Sequence, residues 1–220
     1  MNDYAVITAK NEEATIGGIV AQLMSDDFKV IVVNDGSTDD TAWNALTAGA
    51  HVIHQYPSCG IGPSLQRAWH VALDEGADRI LQLDAGGSHD PIDATCLLGY
   101  LDHADMVIGS RFMIGSQYIG RKWRALGSKF AAFMLNFASH AHITDWTSGY
   151  RAFSRLALNT LAAKQYQQTM HPWQIEVLGY AIERKFRIVE VPITYTAGKS
   201  SLSFDGIRGA ILEWLWILNR

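Results

Sequence analysis

The sequence predicts an α/β domain whose mainly parallel sheet is flanked by helices, and three observations carry that expectation. Short apolar runs alternate with helical patterns through the first half of the chain. The run Ile80-Leu-Gln-Leu-Asp84 ends on a carboxylate and breaks at once into Ala-Gly-Gly-Ser-His-Asp-Pro91, as a buried strand does at the ligand-binding crevice of an open sheet. A composition of 48% hydrophobic and 18% charged residues over 220 positions suits one globular domain with a sizeable core.

The elements follow in order. Tyr4–Ala9 reads as a strand, Glu12–Met24 as a helix and Lys29–Val33 as a second strand; small polar residues then cap a helix over Asp39–Ala48. His51–His54 is a short strand, Ser64–Glu75 a helix, and Arg79–Leu83 the strand that delivers Asp84. This alternation requires right-handed crossovers and places helices on both faces of the sheet. Further on come a helix near Ile92–Leu101, a strand at Asp105–Gly109 and a long helix near Lys122–Ala138. A helix near Pro172–Glu183 precedes a strand at Phe186–Val191, which Pro192 ends. Gly198–Phe204 is turn-like, and Ile207–Leu218, with Trp214 and Trp216, reads as an apolar terminal helix. The expected organisation is one domain over residues 1–204 followed by that helix over 205–220.

Other classes find little support. Cys59 and Cys96 stand far apart and outside any CxxC, so a reducing compartment is expected rather than a disulfide framework or a zinc site. The polar start Met1-Asn-Asp-Tyr4 lacks the features of a signal peptide, and no long apolar window suggests a transmembrane helix. Net charge is −4 but unevenly spread: residues 1–110 hold 4 Lys+Arg against 16 Asp+Glu, and residues 111–220 hold 14 against 6. The second half is therefore suited to an anionic ligand, and the modest total argues against a dedicated nucleic-acid binder.

Three segments place polar groups where strands end. Thr8-Ala-Lys-Asn11-Glu12-Glu13 follows the first strand, Asp35-Gly36-Ser-Thr-Asp-Asp-Thr41 the second, and Asp84 the fourth. Taken alone, Asp35-Gly36 reads first as a turn and Ser37 or Thr38 as a helix cap. Together the three segments resemble a nucleoside pocket in which one carboxylate holds a hard cation against a diphosphate.

These strings are similar to those of family 2 nucleotide-sugar glycosyltransferases of the GT-A fold, a Rossmann-like architecture. Val107-Ile-Gly-Ser-Arg111-Phe112, Asp145-Trp-Thr-Ser148-Gly-Tyr-Arg151-Ala-Phe153 and Glu190-Val-Pro-Ile-Thr-Tyr195 further resemble the dolichyl- or polyprenyl-phosphate mannose synthase branch. The resemblance spans roughly residues 4–204. It implies transfer of a hexose from a UDP- or GDP-sugar to a polyprenyl phosphate, with inversion and with Mg²⁺ or Mn²⁺ as cofactor.

In the implied site, Thr8, Asn11, Glu12, Asp35 and Gly36 bind the nucleotide, and Asp84 binds the metal. Asp84, Arg111, Arg124 and Arg151 form the catalytic set, while Arg121, Arg124, Ser148 and Lys199 receive the acceptor phosphate. Two positions depart from the family pattern. Gly86 stands where the second aspartate of Asp-x-Asp is usual, leaving Ser88 or Asp90 as substitute ligands, and Ser201 replaces a common lysine that Lys199 would supply. His89 is read as a local hydrogen-bonding residue rather than a ligand.

Two other functions stay open: transfer to a hydroxyl, with Glu176 as general base, and non-catalytic binding of a nucleotide sugar or lipid phosphate. The expected location is cytoplasmic. Peripheral attachment to the membrane face, through the terminal helix and the basic patch or through a membrane-protein partner, would reconcile a lipid acceptor with the absent transmembrane segment.

Overall fold

The computed structural model describes residues 1–120, 122–168, 170 and 172–197, without the side chains of residues 122–125. The expectations for Arg121, for the side chain of Arg124, for Lys199 and Ser201, and for the terminal helix lie outside the described residues.

Seven strands form one sheet. Its first part is β1 (Asp3–Ala9), β2 (Lys29–Asn34), β3 (His51–His54) and β4 (Arg79–Asp84), all parallel, in the order β3-β2-β1-β4. The crossovers are α1 (Ile16–Ser25), α2 (Thr41–Thr47) and α3 (Ile61–Asp74). The last of these begins three residues before the expected Ser64, because Pro63 falls in its first turn, where a missing N–H costs nothing.

Beyond β4 the chain forms α4 (Ala94–Gly99), β5 (Met106–Ser110), the short β6 (Gln117–Ile119) and α5 (Lys122–Ser139). Then follow β7 (Arg151–Ser154), α6 (Arg155–Ala162), α7 (Trp173–Glu183), β8 (Ile188–Pro192) and β9 (Thr194–Thr196). The sequence reading did not place β7. It enters the sheet between β4 and β5, antiparallel to both, with β8 parallel to β5 at the outer edge. Because β7 runs the other way, its beginning, rather than its end, reaches the carboxyl edge of its neighbours. Pro192 closes β8 at that outer edge, where a residue without an N–H is tolerated.

Both faces of the sheet are covered, as expected for parallel strands. Alternation along β1 sends Val6 to one side and Ala5 and Ile7 to the other. On the first side, Val6, Ile31, Val33 and Ile80 pack with Leu65 and Trp69 of α3 and with Trp173 and Leu178 of α7. Trp69 anchors this layer, its ring centroid 4.9 Å from Trp173 and 5.3 Å from Phe153. On the second side, Ile7, Val32 and Leu83 meet Ile16, Val20 and Leu23 of α1 and Leu97 of α4. This two-sided core fixes the heights at which the strands stop, and that is what aligns the site.

Candidate active site

Register brings the polar strand ends together. Thr8 pairs with Asp84 across β1 and β4, Ala9 pairs with Asn34 across β1 and β2, and the Asp35 amide donates to Ala9 O at 2.9 Å. Asp35 and Asp84 therefore stand on one edge, on either side of the β1 end.

The first two crossover loops are tied to each other. Asn11, at φ 56°, donates its amide to Ser37 Oγ at 3.0 Å and accepts at Oδ1 from the Thr38 amide at 2.9 Å. Asn tolerates this left-handed backbone better than most residues. The Glu12 amide donates to Thr41 Oγ1 at 2.8 Å, and Thr15 Oγ1 donates to Ala85 O at 2.7 Å, linking α1 to the Gly-rich loop after β4. Gly36, at φ 76°, turns the chain out of β2.

Asp35 is the hub of a third loop. Oδ1 accepts from Gln55 Nε2 at 2.8 Å and the Cys59 amide at 2.9 Å, and Oδ2 accepts from Ser58 Oγ at 2.7 Å and the Gly60 amide at 3.1 Å. Burial pushes this carboxyl up, but the four donors outweigh it and hold the pKa below the usual aspartate value. The expected role was to accept from a base or ribose. A carboxylate has about four acceptor positions, and all are taken within the chain, so Asp35 shapes the 55–60 loop instead.

Asp84 is different. Its side chain is 41% exposed and its position depends on Gly149, where an added Cβ would stand 2.8 Å from Asp84 Oδ1. Gly149 comes from the segment before β7, and its carbonyl accepts from Gln82 Nε2 at 3.2 Å. The sequence reading missed both residues. Gln82 had a visible signal, being the one polar residue inside the run Ile80–Leu83.

His89 also faces Asp84. Its Nδ1 is 3.5 Å from Asp84 Oδ2, buried, and makes no hydrogen bond among the described residues. The ring lies between Tyr150 and Tyr195, at 5.0 and 5.4 Å between centroids. Burial is the main cause that lowers its pKa, favouring the neutral ring. Contrary to expectation, no local hydrogen bond occupies this nitrogen.

Of the expected substitute ligands, Asp90 caps the turn that follows, its Oδ1 accepting from the Ile92 amide at 3.0 Å, and Ser88 is tied through its backbone, its carbonyl accepting from the Thr196 amide at 3.0 Å. Among the described residues, no three His, Cys, Asp or Glu side chains gather as a metal site. The donor set around Asp84 thus fits a hard cation that draws most of its ligands from phosphate oxygens and water.

Glu12 lies over Gly86: a Cβ there would be 3.2 Å from Glu12 Oε1. Gly86→Asp, which restores the second aspartate, is therefore expected to lower stability in EDTA by about 1 kcal/mol through like-charge repulsion. Mn²⁺ would then raise the variant's melting temperature more than that of the wild type. Equal shifts by differential scanning fluorimetry would show that residue 86 does not face the cation.

Arg111 is held rather than free. Asp145 accepts from its Nε at 2.7 Å and Nη2 at 2.6 Å, Thr147 Oγ1 accepts from Nη2 at 2.6 Å, and the guanidinium stacks 5.0 Å from the Tyr195 ring. Burial opposes both charges, but their attraction outweighs it, raising the arginine pKa and lowering that of Asp145. Thr144 and Asp145 amides in turn donate to the Glu190 carboxylate at 2.7 and 2.9 Å.

Three expected site residues point inward. Arg151 is fully buried and donates to the carbonyls of Ser148, Gln174 and Trp146 at 2.8–2.9 Å; burial pushes its pKa down to about 9. Three carbonyls enclose it, so it braces the 146–148 turn against α7 instead of meeting a phosphate. Ser148 Oγ donates to Gly109 O at 2.6 Å, also buried. Glu176 accepts from Lys164 Nζ at 2.9 Å and from the Gln167 and Gln168 amides, so it caps a loop rather than waiting as a base.

This edge, with an exposed carboxylate where parallel strands end, has the layout of a nucleotide-binding α/β enzyme. The family model described as glycosyl transferase family 2 matches residues 4–162, and the chain belongs to that family. It is 32% identical to the polyprenol monophosphomannose synthase of Mycolicibacterium smegmatis, over 95% of this chain and 85% of that protein. It is 33% identical to the undecaprenyl-phosphate mannosyltransferase of Micrococcus luteus, over 82% and 77%. The fold matches that of Mycobacterium tuberculosis glucosyl-3-phosphoglycerate synthase in complex with Mn²⁺, UDP and phosphoglyceric acid, with a TM-score of 0.76 at 21% identity, covering 99% of this chain and 78% of that one.

Proposed function

We propose that the protein transfers a hexose from a nucleoside diphosphate sugar to a polyprenyl phosphate, by direct displacement with inversion and with Mg²⁺ or Mn²⁺. The observation that carries this is the exposed Asp84, set beside the crossover loops of β1 and β2 and linked through His89 and Tyr195 to the Arg111–Asp145 pair. The named activities of the two curated relatives support the acceptor class.

Thr8, Asn11 and Glu12, with Gly36 and the loop that Asp35 organises, would form the nucleoside wall. Asp84 would hold the cation on the diphosphate, with His89 bordering it. A cation there offsets charge on the departing nucleotide. Arg111, oriented by Asp145, would attract the acceptor phosphate, joined by Arg121, Arg124 and Lys199 from outside the described part. A phosphomonoester has a second pKa of about 6, so the nucleophile is already anionic at neutral pH and no general base is needed. The engagement of Glu176 with Lys164 fits that economy and disfavours a hydroxyl acceptor.

A transfer assay tests the reading. UDP- and GDP-hexoses are offered with a short-chain polyprenyl phosphate, with 3-phosphoglycerate, or with water alone, each with Mn²⁺ or EDTA. Glycosylated polyprenyl phosphate should form only with metal. Product from 3-phosphoglycerate alone would reassign the acceptor, and binding of donor without any product would leave a binding protein.

A further inference from the structure

The carboxylate that residue 86 lacks has a counterpart close by in space. The half-buried Glu12 leans over Gly86, where an added Cβ would stand 3.2 Å from Glu12 Oε1 and 3.6 Å from Oε2. An aspartate at 86 would thus set its carboxylate against that of Glu12. Gly86 does not share the left-handed backbone of Gly87 at φ 69°, so the conformation there does not call for a glycine. What the missing side chain leaves is room for Glu12.

The loop that carries Glu12 is fixed from both sides. Its amide donates to Thr41 Oγ1 at 2.8 Å, and its carbonyl accepts from the Thr15 and Ile16 amides, each at 3.1 Å, where α1 begins. Thr15 Oγ1 in turn donates to Ala85 O at 2.7 Å, which ties this segment to the loop that holds residue 86. The proximity of Glu12 to Gly86 is therefore built into the packing of two loops and does not depend on one rotamer alone.

A second observation, on the neighbouring carboxylate, points to a ligand. The His89 side chain is only 1% exposed, and its Nδ1 lies 3.5 Å from Asp84 Oδ2 with no hydrogen-bond partner among the described residues. A buried polar atom left unsatisfied is costly, and one aimed at a carboxylate marks a place for a further polar group or an ion.

We infer that Glu12 supplies the second protein carboxylate to the cation that Asp84 holds, standing in from the β1–α1 loop for the aspartate absent at 86. Its backbone stays in the nucleoside wall, and its side chain serves the cation. Two carboxylates, with diphosphate oxygens and water completing the shell, are an ordinary protein share for a hard divalent ion. This assignment rests on the proposed cation site and is indifferent to the acceptor.

Mn²⁺ binding to the full chain tests it, followed as loss of the free ion's electron paramagnetic resonance signal in the presence of UDP or of GDP. Glu12→Gln keeps the shape and should weaken Mn²⁺ binding at least about tenfold, since losing even a ligand's hydrogen-bond partner costs that much. Glu12→Gln/Gly86→Asp returns the carboxylate to the site and should recover most of the affinity, whereas Glu12→Gln/Gly86→Ala should not. The aspartate-bearing double variant should also melt with the wild type in EDTA, because the repulsion expected for Gly86→Asp alone is gone. Mn²⁺ affinity unchanged in Glu12→Gln, or no recovery in the double variant, overturns the inference. So does a loss of nucleotide affinity that is equal in Mn²⁺ and in EDTA, which would assign Glu12 to the nucleotide itself. A wild type that binds no Mn²⁺ with either nucleotide would remove the cation site together with this role. Normal metal binding without transfer to any prenyl phosphate would instead refute the acceptor alone.

Discussion

Gly149→Ala is expected to reduce kcat/KM for sugar transfer by about two orders of magnitude while leaving the melting temperature within a few degrees of wild type. The added methyl would stand 2.8 Å from Asp84 Oδ1 and 3.2 Å from Oδ2, closer than side-chain carbons approach such atoms. Something must move. The carboxylate is the end of a short, partly exposed side chain, whereas Gly149 is pinned by the bond from Gln82 to its carbonyl. Rotation of Asp84 therefore relieves the clash at little cost to folding, and it takes the carboxylate away from the place where a cation would sit. A misplacement of about 1 Å at such a centre is enough for a hundredfold loss. Steady-state kinetics across a Mn²⁺ titration checks this, since the variant should need more metal. Unchanged kcat/KM would show that the position of Asp84 does not matter to the reaction.

The second large effect is expected at Asp145. Asp145→Asn keeps the shape but leaves the buried Arg111 cation without its countercharge, and breaking a buried pair in this way costs about 3–5 kcal/mol. For a chain of this size, a loss at the lower end of that range lowers the melting temperature by roughly 6–12 °C. Activity should fall with it, because Arg111 loses the two-point grip that aims its guanidinium. The pH dependence follows from the sign of the shift. Asp145 has a lowered folded pKa, so its contribution is complete above the unfolded aspartate value near 3.9 and is lost as pH falls through the folded value. The gap in melting temperature between wild type and variant should thus be widest near neutrality and close in acid. A gap that widened toward low pH would contradict the pairing.

Much of the edge formed by β1, β2 and β4 was legible in the sequence because it is local. Each of β1, β2 and β4 is a mostly apolar run followed by polar residues, so their convergence on one edge follows from strand direction alone. The antiparallel β7 was not legible: Arg151–Ser154 is four residues long, begins with a charge, and carries no alternation to announce it. The inward fates of Asp35, Ser148 and Arg151 were hidden for a related reason. Their partners lie in other elements or turns, and a carboxylate or guanidinium in a motif looks the same whether it faces a ligand or the chain. Gly149 was concealed most thoroughly, since its value is the space it leaves for a residue sixty-five positions away.

The reversed β7 has a wider consequence. A sheet whose strands all point one way brings new chain to its working rim only at strand exits. One strand of opposite polarity adds an entrance, so the long excursion between β5 and β7 begins and finishes at the same rim. Such an excursion can change in length without disturbing the register of β1, β2 and β4, because it leaves and rejoins the sheet at one rim.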